Sequence, residues 1–198
     1  MIVKEYKLTK NKLLRIVQDD SPESPREWDN LGTMICFHRD YNLGDKHDFK
    51  TPDEFHGWYK EYEKDTAVIL PLYLYDHSGI TISTKNTYPY NDRWDAGQVG
   101  YIYVTKEKVR KEYSVKIISK KLLKKVTTYL EREVETYDTY LRGDVYGFQL
   151  IEKETCNKGC EHEKIIDSCY GYYGHNLKEN GIFDNLSDED RKTVEVQL

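Results

Sequence analysis

The chain has 198 residues, of which 38% are hydrophobic and 33% are charged, and its formal net charge is −5. A chain of this length can bury a core without disulfide staples, which excludes the class of small disulfide-rich domains. It begins MIVKEYKL, without a basic and then apolar signal sequence, and no apolar run approaches a membrane span. We therefore expect a cytoplasmic protein with reduced cysteines and no membrane partner.

The N-terminal third reads as strands joined by turns. Met1–Leu8 and Lys12–Gln18 predict a hairpin. Asp19–Pro25 is typical of a rigid polar turn, and Thr33–His38 predicts a third strand. The sequence TPDE at 51–54 is typical of a helix start, with Thr as the cap, Pro in the first helical position and Glu bonding back toward the cap.

The middle of the chain holds the most apolar run, Ala67–Tyr75, which predicts the central buried strand. Pro71 has no N–H to donate to a neighbouring strand, so it requires a bulge or a sheet edge. Ile80–Thr84 predicts a returning strand, Lys85–Gly100 a long loop, and Tyr101–Thr105 another strand.

The C-terminal half contains a predicted helix that begins after Ser119, as its cap, and ends at Arg142, before Gly143. Its apolar residues recur every three or four positions, which predicts a long amphipathic helix (about 119–142) packed on a sheet. The other elements are a short helix at 106–113, a hairpin formed by 144–154 and 163–168, and a final helix capped at 187–190. Strands with inserted helices and no βαβ alternation predict a single α+β domain over residues 1–198, with a mostly antiparallel sheet.

The charges of the long helix break a local rule. Four lysines occupy its first turns and acidic residues its later half, although the helix dipole favours the opposite order. The lysines are Lys120, Lys121, Lys124 and Lys125. Residues 106–125 hold nine basic and two acidic side chains, a formal charge of +7, which leaves −12 for the rest of the chain. Such a segment favours a binding face for a partner, and the alternative is an ordinary solvated face.

The usual catalytic signatures are absent from the sequence, including phosphate-binding and dinucleotide-binding glycine motifs, HExxH and GxSxG. One candidate cleft remains, because neighbouring strand ends would gather His for proton transfer and Arg for an anion. Its candidate residues are His38, Arg39, Asp76, His77, Asp92 and Asp95. The alternative is that Asp76–Gly79 is simply a turn whose side chains bond local amides.

Two sets of residues carry donors for a metal ion. The first is Asp40, Asp45, His47 and Asp48. Its spacing matches no calcium loop, so solvated turn carboxylates are the favoured interpretation. The second is Cys156, Cys160, His162 and Cys169. It has the donors of a tetrahedral zinc site, so structural zinc is the one cofactor that the sequence suggests, and ordinary core or surface cysteines are the alternative.

Four long motifs run through the chain: SPREWDNLGTMICFHRDYNLGD at 24–45, YDHSGITIST at 75–84, WDAGQVGYIYV at 94–104 and DSCYGYYG at 167–174. They resemble a family of uncharacterised proteins encoded by bacteriophages, plasmids and other mobile elements. Tyr170 and Tyr172 stand where the family pattern has Trp and Phe. The resemblance implies a mobile-element setting and assigns no reaction. Small acidic phage proteins without catalytic motifs are often inhibitors of host defences, anti-CRISPR proteins among them.

We therefore expect a non-enzymatic phage or mobile-element protein that binds a host or phage protein complex in the host cytoplasm and inhibits a defence system. The lysine face, Trp28 and Trp94 are the expected contacts, because aromatic and basic residues dominate binding surfaces. We also expect Glu23–Asp48 and Asp76–Gly79 to converge, with both tryptophans packed beside them. The alternatives are a nucleic-acid-binding module that uses residues 106–125 and a pocket hydrolase. The hydrolase would use His38 and His77.

Overall fold

The computed structural model describes residues 1–87, 92, 94–156 and 159–198. The strands are β1 (Ile2–Lys7), β2 (Lys12–Gln18), β3 (Thr33–Cys36), β4 (Thr66–Asp76), β5 (Ile80–Ser83), β6 (Ala96–Thr105), β7 (Val145–Thr155) and β8 (Glu161–Tyr173). The helices are α1 (Pro52–Tyr62), α2 (Lys106–Glu112), α3 (Lys120–Leu141) and α4 (Asp188–Glu195). All of these strands pair antiparallel, so the α+β class and the antiparallel pairing are confirmed.

The chain forms two compact units, and each has its own four-stranded sheet. The first unit combines Met1–Glu23 with Gly143–Leu198, and the second is Ser24–Arg142. The protein therefore builds two sheets where the sequence suggested one. The single domain over residues 1–198 stays a prediction, because compactness alone does not show which parts fold independently.

The sheet of the first unit has the strand order β1-β2-β7-β8, so the N-terminal hairpin pairs with the late hairpin. Alternate residues of its strands face a small core that α4 and the segment before it complete. The buried residues of this core include Tyr6, Leu14, Ile16, Phe148, Ile182, Phe183 and Val194.

Part of the late hairpin extends past the four-stranded sheet. The ladder between β2 and β7 ends at Glu152, and the Lys153 N–H donates to the Asn11 carbonyl at 2.6 Å. Beyond this point, in the part of the chain that the structure describes, β7 pairs with β8 alone. We term residues 154–156 and 159–162 the terminal ribbon. β8 is an edge strand, and its residues 161–171 are all exposed.

The sheet of the second unit has the order β3-β6-β4-β5. One face packs on α2 and α3 in a core that includes Met34, Leu72, Ile102, Val104, Val109, Val126 and Leu130. The other face is aromatic. Phe55 of α1 is 1% exposed, and its ring centroid lies 5.4 Å from that of Tyr101 and 6.0 Å from that of Tyr103. Helices on both faces explain why β4 reads as a nearly continuous apolar run.

Two helices begin where their capping residues predict. The Thr51 hydroxyl accepts the Glu54 N–H at 3.3 Å, and the Glu54 carboxylate accepts the Lys50 N–H at 2.7 Å. Ser119 likewise accepts the Leu122 N–H at 3.2 Å at the start of α3. These bonds satisfy N–H groups that have no partner inside their own helix.

The structure corrects the predicted loop between β5 and β6. The sequence assigns residues 85–100 to a loop, but β6 begins at Ala96. Gly100 reads as a turn residue, yet a Cβ there would lie 1.9 Å from the Ile35 carbonyl oxygen. This strand needs glycine because β3 passes so close to it. Part of the predicted loop, including residues 88–91, lies outside the described residues.

Two details of the predicted strands have different outcomes. The sequence extends β3 to His38, but the strand ends at Cys36, because a turn begins at His38. Pro71 pairs in register with Tyr101 of β6, whereas β5 pairs with β4 only from Tyr73 to Asp76 in the described part of the chain. Pro71 therefore lies beyond the end of β5, where that side of β4 is a sheet edge, so the pairing supports the edge rather than the bulge.

Candidate functional site

The guanidinium of Arg26 holds the segment 24–48 in one shape. It donates from Nε and Nη2 to the two carboxylate oxygens of Asp45, at 2.8 and 2.7 Å, and from Nη2 to the Gly32 carbonyl at 2.8 Å. Asp45 in turn accepts the Met34 N–H at 2.8 Å. The Arg26 side chain is 4% exposed, so this bidentate ion pair is a buried link between turns nineteen residues apart.

The second carboxylate of this network comes from the middle of α3. Glu133 accepts the Leu31 N–H at 2.7 Å and the Gly32 N–H at 3.1 Å, and it lies 3.4 Å from Arg26 Nη1. Burial raises the pKa of Glu133, the two N–H groups and Arg26 oppose that shift, and the net direction is upward. Glu133 therefore fastens the segment 24–48 to the helix.

Arg26 and Glu133 are structural residues that the sequence reasoning missed. The sequence groups Glu133 with the acidic half of the helix, whereas the structure buries it. The available signal is its position, three residues after Leu130 and four before Tyr137, on the buried stripe of α3. A charged residue on such a stripe needs a partner, and Arg26 is that partner.

The turn residues with metal-binding donors serve different purposes. The Asp45 side chain is only 23% exposed and is paired with Arg26, so the interpretation of it as a solvated carboxylate is wrong. Asp40 accepts from Arg39 Nε at 2.8 Å in an exposed pair. Nε2 of His47 lies 3.0 Å from the Cys36 carbonyl oxygen, a hydrogen bond that holds the end of β3.

A groove of 710 Å³ runs along the first turns of α3 and the segment before them. It is lined by Tyr113, Val115, Ile117, Ser119, Lys121, Leu122, Lys124, Lys125, Thr128, Tyr129 and Arg132. We term it the basic groove, because its cations are exposed whereas Val115 and Leu122 are half-buried. All four lysines of the predicted binding face are exposed. Three of them line the groove and Lys120 does not.

Two side chains inside the basic groove have unusual surroundings. Ile117 is 84% exposed, although it is a large apolar residue. The Lys125 ammonium lies 5.0 Å from the centroid of the Tyr113 ring, in a cation–π contact. The groove therefore offers an aliphatic side chain to a partner, while Lys125 covers one of its aromatic rings.

Trp28 lines a second cavity, of 220 Å³, which shares Tyr129 and Arg132 with the basic groove. Its remaining lining residues are Pro25, Asn30, Glu133 and Thr136, and we term it the tryptophan notch. Trp28 is 43% exposed and Tyr129 45% exposed. Since Glu133 fastens the segment that carries Trp28 to α3, the notch and the groove form one continuous surface.

Trp94 takes no part in this surface. It is 94% exposed, and its backbone N–H donates to the Asp92 carboxylate at 2.9 Å, in the turn that precedes β6. The expectation that Trp94 packs beside Glu23–Asp48 is therefore wrong, because a side chain exposed to this extent makes no extensive packing contact.

A wider cleft, of 1450 Å³, is lined mainly by residues between 36 and 50 and by the C-terminal part of α3. His38 and Arg39 line it. The candidates Asp76, His77, Asp92 and Asp95 do not. β3 and β4 both run antiparallel to β6, so the C-terminal ends of these two strands lie at the same end of the sheet. The candidate residues thus lie near one end of the sheet but do not line one cleft.

His38 holds a local turn. Its Nδ1 accepts the N–H groups of Asp40 and Tyr41, both at 3.2 Å, and its ring stacks on Tyr41 with centroids 4.8 Å apart. A side-chain acceptor that binds the backbone N–H groups two and three residues later stabilises the turn after β3. The geometry thus gives His38 a structural role.

His77 belongs to a turn. Its Nδ1 lies 2.9 Å from the Asp95 carboxylate, and its side chain is 63% exposed. The His77 N–H donates to the Gly79 carbonyl at 3.1 Å, and Ser78 has a φ of +58°. This geometry agrees with the turn interpretation of Asp76–Gly79.

The cysteines have three different environments. Burial raises the pKa of Cys36 to about 12. Cys156 and Cys160 meet at the end of the terminal ribbon, where the Cys156 N–H donates to the Cys160 carbonyl at 2.9 Å. Cys169 lies on β8 seven residues beyond His162, which is roughly 20 Å along an extended strand. It is therefore too far away to complete a metal site with the other predicted ligands.

Among the residues that the structure describes, no three His, Cys, Asp or Glu side chains stand close enough together to hold a metal ion, so zinc stays a prediction. No helix in the same ranges has the length and apolar character needed to cross a membrane.

Comparison with known proteins adds no assignment. No protein-family model, no curated protein and no solved structure matches the chain. The mobile-element setting therefore stays an expectation from the sequence motifs.

Proposed function

We propose that the protein acts by binding another protein, and that the basic groove receives an acidic segment of this partner with an apolar anchor. The single observation that carries the proposal is an apolar groove enclosed by lysines. Leu122 and Val115 supply apolar surface, and Lys121 and Lys124 stand exposed beside it. An acidic segment would place carboxylates against the lysines and one aliphatic or aromatic side chain against the groove wall.

The exposed side chains supply the expected anchor contacts. Ile117 and Tyr129 together with Trp28 present apolar surface to water at 84%, 45% and 43% of their area. Contiguous exposed apolar surface with a polar rim is typical of a protein interaction site. Tyrosine, tryptophan and arginine are also enriched among residues whose removal costs most binding free energy, and Arg132 completes that set.

The charge distribution supports an acidic partner. Residues 106–125 carry +7 in a chain whose net charge is −5. The groove is thus a positive face on a negative protein, which steers an acidic surface toward it and repels it elsewhere. The order of charges along α3 costs the helix a few tenths of a kcal/mol, roughly, and binding of a partner to these lysines explains why the sequence has this order.

The motif resemblance gives this binding a biological setting. A mobile-element protein that binds a host or phage complex fits an inhibitor of a host defence system, of the anti-CRISPR type. We propose this role as the consequence of partner binding, with no reaction catalysed. The two backbone N–H groups on His38 Nδ1, and the absence of His77 from the lining of the cleft that contains His38, favour it over the pocket hydrolase.

The test begins with a pull-down from host lysate, with and without nuclease, followed by affinity measurement with the purified partner. Replacing the four lysines of α3 by glutamate is expected to abolish binding. Replacing Lys60 and Lys64 by glutamate is expected to leave binding unchanged, because these two lysines are exposed near the end of α1, away from the groove. Ile117→Ser is expected to weaken binding at least about tenfold, as for an anchor residue. Val196→Ser, at a site 89% exposed, is its matched control.

The charge-reversed variant must keep its fold for this test to be informative. Its four substitutions lie on exposed positions, and glutamate at the start of a helix suits the dipole better than lysine. We therefore expect its thermal unfolding midpoint to equal or slightly exceed that of the wild type. Equal binding by the reversed and wild-type proteins would refute the proposed groove.

A nucleic-acid partner is the alternative, and one observation favours it. Trp28 and Tyr129 are exposed aromatic rings beside lysines, an arrangement that also stacks the bases of a single strand. Lys125 over Tyr113 removes one further ring from such stacking. Micromolar binding to random single-stranded or duplex DNA at physiological salt, falling steeply as salt rises and lost in the reversed variant, would replace the protein partner by this alternative.

A further inference from the structure

The terminal ribbon contributes no residue to the hydrophobic core that stabilises the rest of the first unit. Four-stranded pairing ends at Glu152, and beyond it Glu154 and Thr155 pair only with Glu161 and His162, with water on both faces. A two-stranded ribbon without a core is marginally stable in water. Small structures of this kind are usually fastened by a disulfide or a metal ion.

The register of the ribbon decides which side chains share a face. Glu154 lies directly opposite His162. One step nearer the tip on the same face, Cys156 lies opposite Cys160, because the Cys156 N–H donates to the Cys160 carbonyl at 2.9 Å. Residues opposite each other in an antiparallel pair, and residues two apart along a strand, point to the same face. All four side chains therefore lie on one face of the ribbon, in two neighbouring pairs.

We propose that Glu154, Cys156, Cys160 and His162 bind one zinc ion that fastens the end of the terminal ribbon. The donors are two thiolates, one imidazole and one carboxylate, all of which bind zinc in tetrahedral sites. Thiolates are soft ligands, which select zinc over calcium and magnesium. The site differs from the one that the sequence suggested, because Glu154 takes the place of Cys169.

The backbone spacing suits a single ion. Residues opposite each other have Cβ atoms about 5 Å apart, and diagonal neighbours are about 7 to 8 Å apart. Zinc bonds of about 2.0 to 2.3 Å, added to the lengths of these side chains, span those separations. Cys169 falls roughly 20 Å from His162 along the same strand, outside that reach.

Binding requires rotation of the four side chains, of which Cys156 is half-buried and the other three are exposed. The four side chains are not gathered as they stand, since no metal-binding group of three occurs in the described ranges. Glu154 forms an ion pair with Lys164 at 3.9 Å, and both of these side chains are more than 60% exposed. An exposed pair at that distance costs little to break. The two thiols each release a proton to solvent as their sulfur atoms bind the ion.

The test uses the full chain, purified under reducing conditions without chelators and analysed for metal. We expect about one equivalent of zinc. Protein stripped of metal and titrated with Co²⁺ should then develop a thiolate-to-cobalt charge-transfer band, which zinc abolishes. Cys156→Ser and Cys160→Ser should each weaken or remove the band, whereas Cys169→Ser, a matched control on the same strand, should leave it intact. Glu154→Gln should raise the zinc dissociation constant at least about tenfold through loss of one ligand charge.

The role of the metal is tested separately by hydrogen exchange. Zinc should slow exchange of the amides in the terminal ribbon and leave the second unit unchanged. Reduced wild type that binds neither Co²⁺ nor Zn²⁺ would overturn the site. So would a Cys169→Ser variant that loses the band as completely as Cys160→Ser. Metal binding without slower exchange in the ribbon would overturn the role of the ion as a fastener.

Discussion

The segment 24–48 and the terminal ribbon differ in what holds them in place. The segment is mostly irregular, and it is fixed by the buried guanidinium of Arg26 between two carboxylates. The ribbon has a regular ladder of backbone hydrogen bonds, but water reaches both of its faces. An exposed backbone bond contributes little net free energy, because water competes for the same groups. Regular secondary structure is therefore a poor guide to local stability here, and the burial of a charged side chain is a better one.

The largest loss of unfolding free energy is expected from Arg26→Ala. Removing the guanidinium leaves the buried Glu133 and the partly buried Asp45 without a cationic partner, which costs about 3–5 kcal/mol of unfolding free energy. Denaturant unfolding monitored by tryptophan fluorescence measures the change. Arg39→Ala is the control: its side chain is 90% exposed, and the change should lie within about 0.5 kcal/mol of zero. Equal effects of the two substitutions would contradict the structural role of Arg26.

A smaller effect, on the order of 1 kcal/mol, is expected from Glu133→Gln, which keeps a carbonyl oxygen to accept the Leu31 N–H. The informative quantity is its pH dependence. Burial raises the pKa of Glu133 in the folded protein above the ordinary value of 4.5. The folded state then holds a proton that the unfolded state has released, so stability is present below pH 4.5 and is lost as the pH rises through the folded pKa.

The measurement is the unfolding free energy of the wild type minus that of Glu133→Gln, from pH 4 upward at constant ionic strength. The difference should fall as the pH rises, because the variant lacks the titrating group. The other carboxylates, including Asp45, are common to both proteins and cancel in the difference to a first approximation. A difference that grows with pH would show that the charged form of Glu133 is favoured on folding.

The smallest expected effect lies in the terminal ribbon. Thr155→Ala removes an exposed side chain from β7, so the global unfolding free energy should change by less than about 0.5 kcal/mol in metal-free protein. Hydrogen exchange sharpens the comparison. Amides of the terminal ribbon should exchange through local opening, while those of β3 should approach the rate set by global unfolding. Equal protection of the ribbon and β3 in metal-free protein would remove the distinction.

Local signals predicted much of the fold. The Thr51 and Ser119 caps and the N-terminal hairpin each depend on a few neighbouring residues, and the structure has all three. Strand order depends on contacts between distant residues, so nothing local indicated that β2 pairs with β7 or that two sheets form. Gly100 was wrongly assigned to a loop for a related reason. This position requires glycine because β3, more than sixty residues earlier in the chain, passes close to it.

The candidate site was predictable in part. The exposed lysines of α3 follow directly from helical periodicity, and the structure places them on solvent as that periodicity requires. Trp28 reaches the same surface only because Arg26 and Glu133 fasten its segment to α3, a long-range contact. The reach of Cys169 was misjudged because a sequence shows the spacing of ligands but not that one long strand, β8, carries both His162 and Cys169.

The division of the first unit along the chain sets an order of events during synthesis. The ribosome makes β1 and β2 first, then the whole second unit, and only afterwards the strand β7 that β2 pairs with. The second unit is continuous in sequence, so it can complete its sheet while the early hairpin is still waiting for a neighbour. Leu14 and Ile16 stay in water during that interval, and an open apolar strand edge invites pairing with other chains. Aggregation of nascent or truncated protein should therefore begin at β2.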